Sequence, residues 1–64
     1  MPQKLTLKQH RVIRDITQEQ MAEKIGVHRN TYVNWEENPE NISIKNANKF
    51  ATSLGISIDD IFFA

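Results

Sequence analysis

The stretch from Gln18 to Trp35 constrains the fold more than any other part of this sequence. When Gln18 is counted as the first position, a small residue, Ala22, is fifth and a glycine, Gly26, is ninth. Large apolar residues occupy the fourth, eighth, tenth, fifteenth and eighteenth positions: Met21, Ile25, Val27, Tyr32 and Trp35. This spacing lets two helices pack at a steep angle across a turn of about three or four residues. It predicts a helix-turn-helix, with a plain helical hairpin as the alternative.

The remaining segments also have helical patterns. Thr6 and Thr17 are each followed three residues later by Gln, the capping-box arrangement that begins a helix. Ser43 and Ser57 are candidate caps for two later helices. No segment alternates apolar and polar residues for long enough to indicate a strand. We therefore predict an all-α chain of five short helices.

The predicted fourth helix is expected to contribute to the core. Its apolar residues recur at three- and four-residue steps: Ile44, Ala47, Ala51 and Leu54. Phe50 widens this stripe. Glycines that follow apolar runs, Gly26 and Gly55, suit the left-handed position at a helix C-terminus.

Length and composition limit the chain further. A domain of 64 residues buries only about 60% of the surface of its unfolded chain, so we expect a single domain over residues 1–64. The absence of cysteine excludes disulfides and fits a reducing cytoplasm. No apolar run approaches the roughly 20 residues that span a bilayer, so no membrane partner is expected.

The charge is balanced overall but polarised along the chain. Eight Lys and Arg match eight Asp and Glu. Residues 1–35 carry six cations and three acids, whereas residues 36–64 carry two cations and five acids. An anionic partner would therefore meet the first half of the chain.

The second helix of the turn, predicted over residues 28–37, has two unlike faces. A rotation of about 100° per residue places Thr31, Tyr32 and Trp35 on the core side. The opposite side carries Arg29, Asn30, Val33, Asn34 and Glu37. Arg, Asn and a methyl-rich side chain are the groups that contact guanine, adenine and the thymine methyl in a major groove. A solvated face without a ligand is the alternative.

These segments resemble the phage repressor and Cro family of XRE-type helix-turn-helix proteins. The resemblance lies in residues 17–27 (TQEQMAEKIGV), 32–36 (YVNWE) and 54–63 (LGISIDDIFF). It implies a compact, lambda-repressor-like domain of five helices. It also implies that the helix at residues 28–37 enters the major groove of double-stranded DNA, as part of a transcription regulator that binds a palindromic operator as a homodimer.

The resemblance also implies roles for individual residues. Arg29, Asn30 and Asn34, with Val33 on the same face, would contact bases. Gln18 would bind a DNA phosphate and support the recognition helix, and His28 would reach a phosphate or a base or simply remain in solvent. Arg11 would form a structural ion pair with Glu36.

The loop after the tryptophan departs from the family pattern. Where relatives have Asn-Gly and a cation, this chain has Glu37-Asn38-Pro39-Glu40-Asn41. Asn38 can adopt the turn conformation that glycine favours. Because the two acids repel phosphate, we expect Lys45 and Asn46 to provide the backbone contacts instead, with Asn41 as a further candidate, or the contact with the DNA backbone to be weaker.

His10 stands where relatives have an apolar residue, and it is either a buried, hydrogen-bonded histidine or a pH-sensitive switch.

The C-terminal patch, Ile58, Phe62 and Phe63, exceeds what a small core can cover, and the resemblance implies that it forms a dimer contact. Ile61 is expected to point inward and Phe63 outward.

Three classes of function follow in order of preference. The first is a sequence-specific DNA-binding regulator. The second is an antitoxin or anti-repressor type of module that binds another protein through the same scaffold. An enzyme comes last, because two histidines 18 residues apart, no cysteine and no glycine-rich phosphate loop leave no catalytic group to assign, and we expect neither a cofactor nor a metal site.

Overall fold

A computed structural model describes residues 4–63. Four α-helices account for most of this range: α1 (Leu7–Val12), α2 (Gln18–Ile25), α3 (Arg29–Glu37) and α4 (Ile44–Leu54). Two single turns of 3-10 helix cover Pro39–Asn41 and Ile58–Asp60. Within the described range there is no β-strand, and the chain is all-α as predicted. None of the helices in this range is long and apolar enough to cross a membrane.

Each α-helix begins at a side chain that accepts a hydrogen bond from the first turn. Thr6 and Thr17 form the two predicted capping boxes, with Gln9 and Gln20 respectively. Ser43 caps α4 through the backbone N–H of Asn46. These caps satisfy amides that a helix N-terminus leaves without intrahelical partners.

The turn between α2 and α3 depends on backbone conformation. Gly26 has the left-handed conformation (φ 74°, ψ 36°), and the N–H of Val27 donates to the carbonyl of Ala22 at 3.0 Å. Gly55 ends α4 in the same way (φ 70°). Asn38, by contrast, does not adopt the predicted glycine-like conformation. Its φ is −132° and its ψ is 76°, and the following Pro39 disfavours a helical conformation for the residue before it.

One left-handed position was not expected from the sequence. Asp15, in the turn after α1, has φ 56° and is the only non-glycine residue with positive φ among residues 4–63. This conformation brings Cβ close to the following carbonyl oxygen and is costly for a residue other than glycine.

The core lies where α2, α3 and α4 meet and is completed by α1 and the C-terminal segment. Its buried apolar residues are Leu7, Met21, Ala22, Ile25, Tyr32, Trp35, Phe50, Ala51 and Ile61. The rings of Tyr32 and Phe50 are nearly parallel, with centroids 6.3 Å apart. Trp35 meets Tyr32 edge to face at 6.4 Å. Every apolar position of the predicted helix-turn-helix pattern is buried or packed against this core.

Residues 4–63 contain four α-helices and not the predicted fifth, so the prediction of five helices is wrong. Ser57 caps a single 3-10 turn, after which Ile61 becomes extended (φ −104°, ψ 131°). Ile61 forms a parallel β-bridge with Leu5, and the N–H of Phe62 donates to the Leu5 carbonyl at 2.8 Å. Pairing with the N-terminal segment and burial of Ile61 therefore replace a second helical turn.

His10 supports the same junction. Its side chain is buried, and its Nε2 donates to the backbone carbonyl of Asp60 at 2.7 Å. Its ring meets Phe50 edge to face. His10 is thus a buried histidine with a hydrogen-bond partner, and it connects α1 to the second 3-10 turn.

Two residues assigned to the core are exposed. Ile44, the first residue of α4, is 71% exposed, whereas Ala47 in the next position of the same stripe is buried. Thr31 is exposed on α3, although Tyr32 beside it is fully buried. The core face of α3 is therefore narrower than the rotation estimate indicates.

Candidate nucleic-acid interface

Helix α3 places its aromatic residues inward and its hydrogen-bonding residues outward. Tyr32 is 0% exposed and Trp35 is 6% exposed. On the other side, Arg29, Asn30 and Asn34 are exposed and Val33 is half-buried. We call Arg29, Asn30, Val33 and Asn34 the outer face of α3. It presents a guanidinium, two amides and a methyl pair to any partner.

A buried carboxylate holds α3 in place. Glu36 lies one turn from Tyr32, and its side chain is only 3% exposed. It accepts hydrogen bonds from Arg11 Nε at 2.6 Å, from Gln18 Nε2 at 2.9 Å and from the Tyr32 hydroxyl at 2.5 Å. Glu36 therefore ties α1, α2 and α3 together. We call these four residues the Glu36 network.

Arg11 completes the Glu36 network through its second and third nitrogens. Nη2 donates to Glu36 Oε1 at 3.3 Å, and Nη1 donates to the carbonyl of Ile16 at 2.8 Å. The ion pair between Arg11 and Glu36 is thus bidentate and also holds the α1–α2 connection. Breaking such a pair is costly because it leaves one charge buried without a partner.

The Glu36 network keeps its three ionisable members, Arg11, Tyr32 and Glu36, each in one protonation state. Burial alone would raise the pKa of Glu36, but the hydrogen bonds from Arg11, Tyr32 and Gln18 outweigh it and hold that pKa below its usual value. The hydrogen bond to Glu36 raises the pKa of Arg11. The stability that the carboxylate contributes is therefore present above the ordinary Glu pKa of about 4.3 and is lost as the pH falls through the lower folded-state pKa.

The pKa of Tyr32 shifts in the opposite direction from the pKa of Glu36. Burial, reinforced by the hydrogen bond to the Glu36 carboxylate, raises the pKa of the Tyr32 phenol. A phenolate at this position would stand against a buried carboxylate with no proton between them. The folded state therefore holds Tyr32 as a neutral hydrogen-bond donor.

Two candidate phosphate ligands lie at the N-termini of helices. His28 is the N-cap of α3, and its Nδ1 accepts from the backbone N–H of Asn30 at 3.0 Å, which leaves Nε2–H in solvent. Gln18 is the first residue of α2. One of its amide hydrogens is used by Glu36, and the second remains available. Free amides at helix N-termini favour anions.

Lys45 and Asn46 lie at the start of α4. Lys45 is exposed, and it lines a groove of about 380 Å³ between α2 and α4 together with Lys24 and Lys49. Asn46 is half-buried, and its backbone N–H donates to Ser43. Of the two, Lys45 is the more exposed.

Sequence reasoning missed a contact between α3 and the loop that follows it. Asn34 Oδ1 accepts from the side-chain amides of Asn38 and Asn41, each at 3.2 Å. We call these three residues the amide cluster. Their spacing of four and three residues is the one available sequence signal, since such positions share one side of a helix. The chain leaves α3 before Asn41, however, so only the folded loop brings it near Asn34.

The C-terminal patch is partly exposed. Phe62 is 48% exposed and Phe63 is 36% exposed, while Ile61 between the patch residues is buried. Ile58 is half-buried. Ile61 inward and Phe63 outward agree with the sequence prediction.

The fold and this interface define a helix-turn-helix domain, in which α2 and α3 form the unit and α3 presents its outer face. The chain belongs to the XRE-type helix-turn-helix family, whose model matches residues 7–61. The match includes every element of the domain from α1 to Ile61.

Two curated relatives are similar over most of the chain. An uncharacterised HTH-type transcriptional regulator of Methanocaldococcus jannaschii is 41% identical over 56 residues, which cover 88% of this chain and 85% of that protein. A second uncharacterised HTH-type transcriptional regulator, of Archaeoglobus fulgidus, is 39% identical and covers 88% of this chain and 79% of its own length. No solved structure matches the chain.

Proposed function

We propose that this protein is a sequence-specific regulator of transcription that binds double-stranded DNA, with α3 in the major groove. One observation carries the proposal. The outer face of α3 carries exposed Arg29, Asn30 and Asn34, while Tyr32 and Trp35 anchor the reverse side of the same helix. Discrimination between base pairs requires such hydrogen-bonding groups at defined positions.

The Glu36 network supports the proposal because it holds the recognition helix rigidly. Its hydrogen bonds connect α3 to α1 and α2 without using any side chain of the outer face. Base contacts need donors and acceptors that are already in position, since ordering them on binding costs affinity. The two relatives carry the name of transcriptional regulators, which agrees with this function.

Phosphate contacts would set the register of the helix on DNA. Gln18 and His28, at the N-termini of α2 and α3, are proposed to bind phosphates on one side of the groove, with Lys45 and Asn46 as further contacts. These contacts position the protein but do not select a sequence. The exposed acids Glu37 and Glu40 would repel phosphate, so the loop that carries them is not assigned a phosphate contact.

The C-terminal patch is proposed to form a homodimer contact. Phe62 and Phe63 expose apolar surface at the end of the chain, remote in sequence from the outer face of α3. A two-fold dimer places two recognition helices about 34 Å apart, so that each contacts one half of a palindromic operator.

Selection of bound sites from a random pool of double-stranded DNA tests the proposal. Enrichment of a palindrome with half-sites about one helical turn apart is expected. Binding that persists unchanged on random DNA, or a pool without any enriched sequence, would refute sequence-specific recognition.

A protein-interaction module of the antitoxin or anti-repressor type is the second candidate. The exposed Phe62 and Phe63 and the zero net charge favour it. Salt dependence separates the two functions. Binding through phosphates weakens steeply with added salt, whereas apolar docking through the C-terminal patch does not.

A further inference from the structure

The amide cluster determines which hydrogen-bonding group Asn34 can offer to DNA. A carbonyl oxygen of an amide has two lone pairs, and Oδ1 of Asn34 accepts one hydrogen bond from Asn38 and one from Asn41. Both acceptor positions are therefore occupied within the protein. What remains for a partner is the Nδ2 group of Asn34, which can only donate.

Asn30 provides a contrast on the same face of α3. No hydrogen bond within residues 4–63 involves its side-chain amide, and the residue is exposed. Its Oδ1 and Nδ2 are both free. Asn30 can therefore form the bidentate pair with adenine, in which the amide accepts from N6 and donates to N7. Asn34 cannot do so without releasing the amide cluster.

The backbone of the loop holds the amide cluster in place. The N–H of Asn38 donates to the carbonyl of Asn34 at 2.7 Å, and the N–H of Asn41 donates to the carbonyl of Asn38 at 2.9 Å. Pro39 begins the 3-10 turn between them, and Ile42 beyond it packs against the core. Two amide donors thus reach the same oxygen from a loop that is anchored at both ends.

We infer that Asn34 is a specificity-determining residue that selects a keto base, guanine or thymine, and that Asn38 and Asn41 are the positioning residues that impose this choice. In the major groove guanine offers two acceptors, O6 and N7, and thymine offers O4, whereas adenine offers N7 beside an amino group and cytosine offers only an amino group. An amide that only donates can bridge both acceptors of guanine or bind O4 of thymine, but beside adenine it has N7 alone and meets the amino group. The inference rests on the proposed binding of α3 in the major groove.

Contact with adenine would exchange two hydrogen bonds for one. To accept from N6 of adenine, Asn34 Oδ1 would have to leave the amides of Asn38 and Asn41. Those donors would then lose their shared acceptor, and the two hydrogen bonds that hold the loop to α3 would be broken. The loop that differs from the family pattern therefore acts on base choice rather than on the DNA backbone.

Parallel selections from a random DNA pool test the inference. The wild type, Asn34→Ala, and the double variant Asn38→Ala with Asn41→Ala are compared, with Asn30→Ala as the matched control on the same face. Asn34→Ala is expected to remove the preference at one base pair, where the wild type selects guanine or thymine by about tenfold or more.

The double variant is expected to accept adenine at that same base pair, with the ratio of guanine to adenine falling about tenfold, because Oδ1 is freed. The position that Asn30→Ala affects should stay unchanged in the double variant. Thermal unfolding of each variant, followed by circular dichroism, establishes that the fold is retained.

Three outcomes overturn the inference alone while leaving the proposed function intact. The first is an enriched operator in which Asn34→Ala alters an adenine or cytosine preference. The second is an operator whose base preferences Asn34→Ala leaves unchanged. The third is a guanine-to-adenine ratio that the double variant does not change. A wild-type pool without enrichment instead overturns the proposed function and this inference with it.

Discussion

The hydroxyl of Tyr32 donates to the carboxylate of Glu36, one helical turn further along α3, at 2.5 Å. The ring of Tyr32 is stacked on Phe50 of α4, and Glu36 is bound by Arg11 of α1 and Gln18 of α2. One pair of residues therefore connects α3 with α1, α2 and α4. The orientation of the outer face depends on this pair.

Replacement of Tyr32 by Phe should destabilise the fold while preserving its packing. The ring stack on Phe50 remains, but the buried carboxylate loses one of its donors, which costs about 1.5–3 kcal/mol for a hydrogen bond to a charged group. Urea unfolding followed by Trp35 fluorescence measures the difference. As a control, Thr31→Ser changes an exposed hydroxyl residue next to Tyr32 and should have little effect. Equal stability of Tyr32→Phe and wild type would show that the hydroxyl contributes nothing.

The phenol of Tyr32 should ionise only when the protein unfolds. Its pKa is raised in the folded state, so the folded protein retains a proton that the unfolded chain releases above pH about 10. Stability is therefore complete below that pH and declines as the pH rises further. Because the chain contains a single tyrosine, tyrosinate absorbance reports this group alone. We expect it to appear together with the loss of helical circular dichroism, and ionisation of a fully helical protein at the ordinary pKa would contradict the burial argument.

Replacement of Asp15 by Gly should stabilise the domain. The left-handed conformation costs most residues with a Cβ atom about 1–2 kcal/mol and Asp less than most, and glycine avoids this cost at the expense of some unfolded-state entropy. A net gain of about 0.5–1 kcal/mol is expected in thermal or urea unfolding. Gly26→Ala introduces a Cβ atom at φ 74° and should therefore lower the free energy of unfolding. A lower melting temperature for Asp15→Gly would mean that the carboxylate stabilises the turn in another way.

Substitutions at the proposed DNA contacts should separate base selection from phosphate binding. Arg29→Ala should lose about 1–3 kcal/mol on the selected operator and relax the preference at one base pair. Lys45→Ala should weaken binding to operator and random DNA alike. It should also reduce the slope of log affinity against log salt concentration by about one. Fluorescence anisotropy titrations on both DNAs at several salt concentrations distinguish these effects. An equal loss on both DNAs for Arg29→Ala would remove that residue from base recognition.

Polar substitutions in the C-terminal patch should weaken the proposed dimer. Phe62→Ser with Phe63→Ser removes two exposed rings, and each is expected to cost about 1 kcal/mol or more if it lies at the interface. Sedimentation equilibrium measures the dimer constant. Val12→Ser with Ile13→Ser is the matched control, since Val12 at the end of α1 is 50% exposed and Ile13 directly after it is 63% exposed. If Val12→Ser with Ile13→Ser dissociates the dimer and Phe62→Ser with Phe63→Ser does not, the interface lies at the end of α1.

Local sequence was sufficient to predict the helix-turn-helix and its caps. The spacing of Ala22, Gly26 and the apolar anchors depends on contacts between residues close in the chain, and Thr6 and Thr17 act within one turn of their own helices. The same spacing was enough to separate Tyr32 and Trp35 from the outer face of α3. Such features could be predicted because the periodicity of a helix converts sequence positions directly into directions.

The end of the chain and the amide cluster could not be predicted in that way. Whether Ile58 to Phe63 continue as a helix depends on the distant Leu5 and His10, which bind this segment across more than 45 residues of sequence. Ile44 belongs to the predicted apolar stripe, but as the first residue of α4 it is exposed.

The order of the amino acids was enough to locate the helix starts, the turn and the apolar side of α3, because these features depend on local hydrogen bonds and helical periodicity. Three features required the folded chain: Glu36 joins three helices, the last segment is extended, and the oxygen of Asn34 is occupied by Asn38 and Asn41. A polar side chain can be satisfied by many partners, and folding brings one set of them within reach.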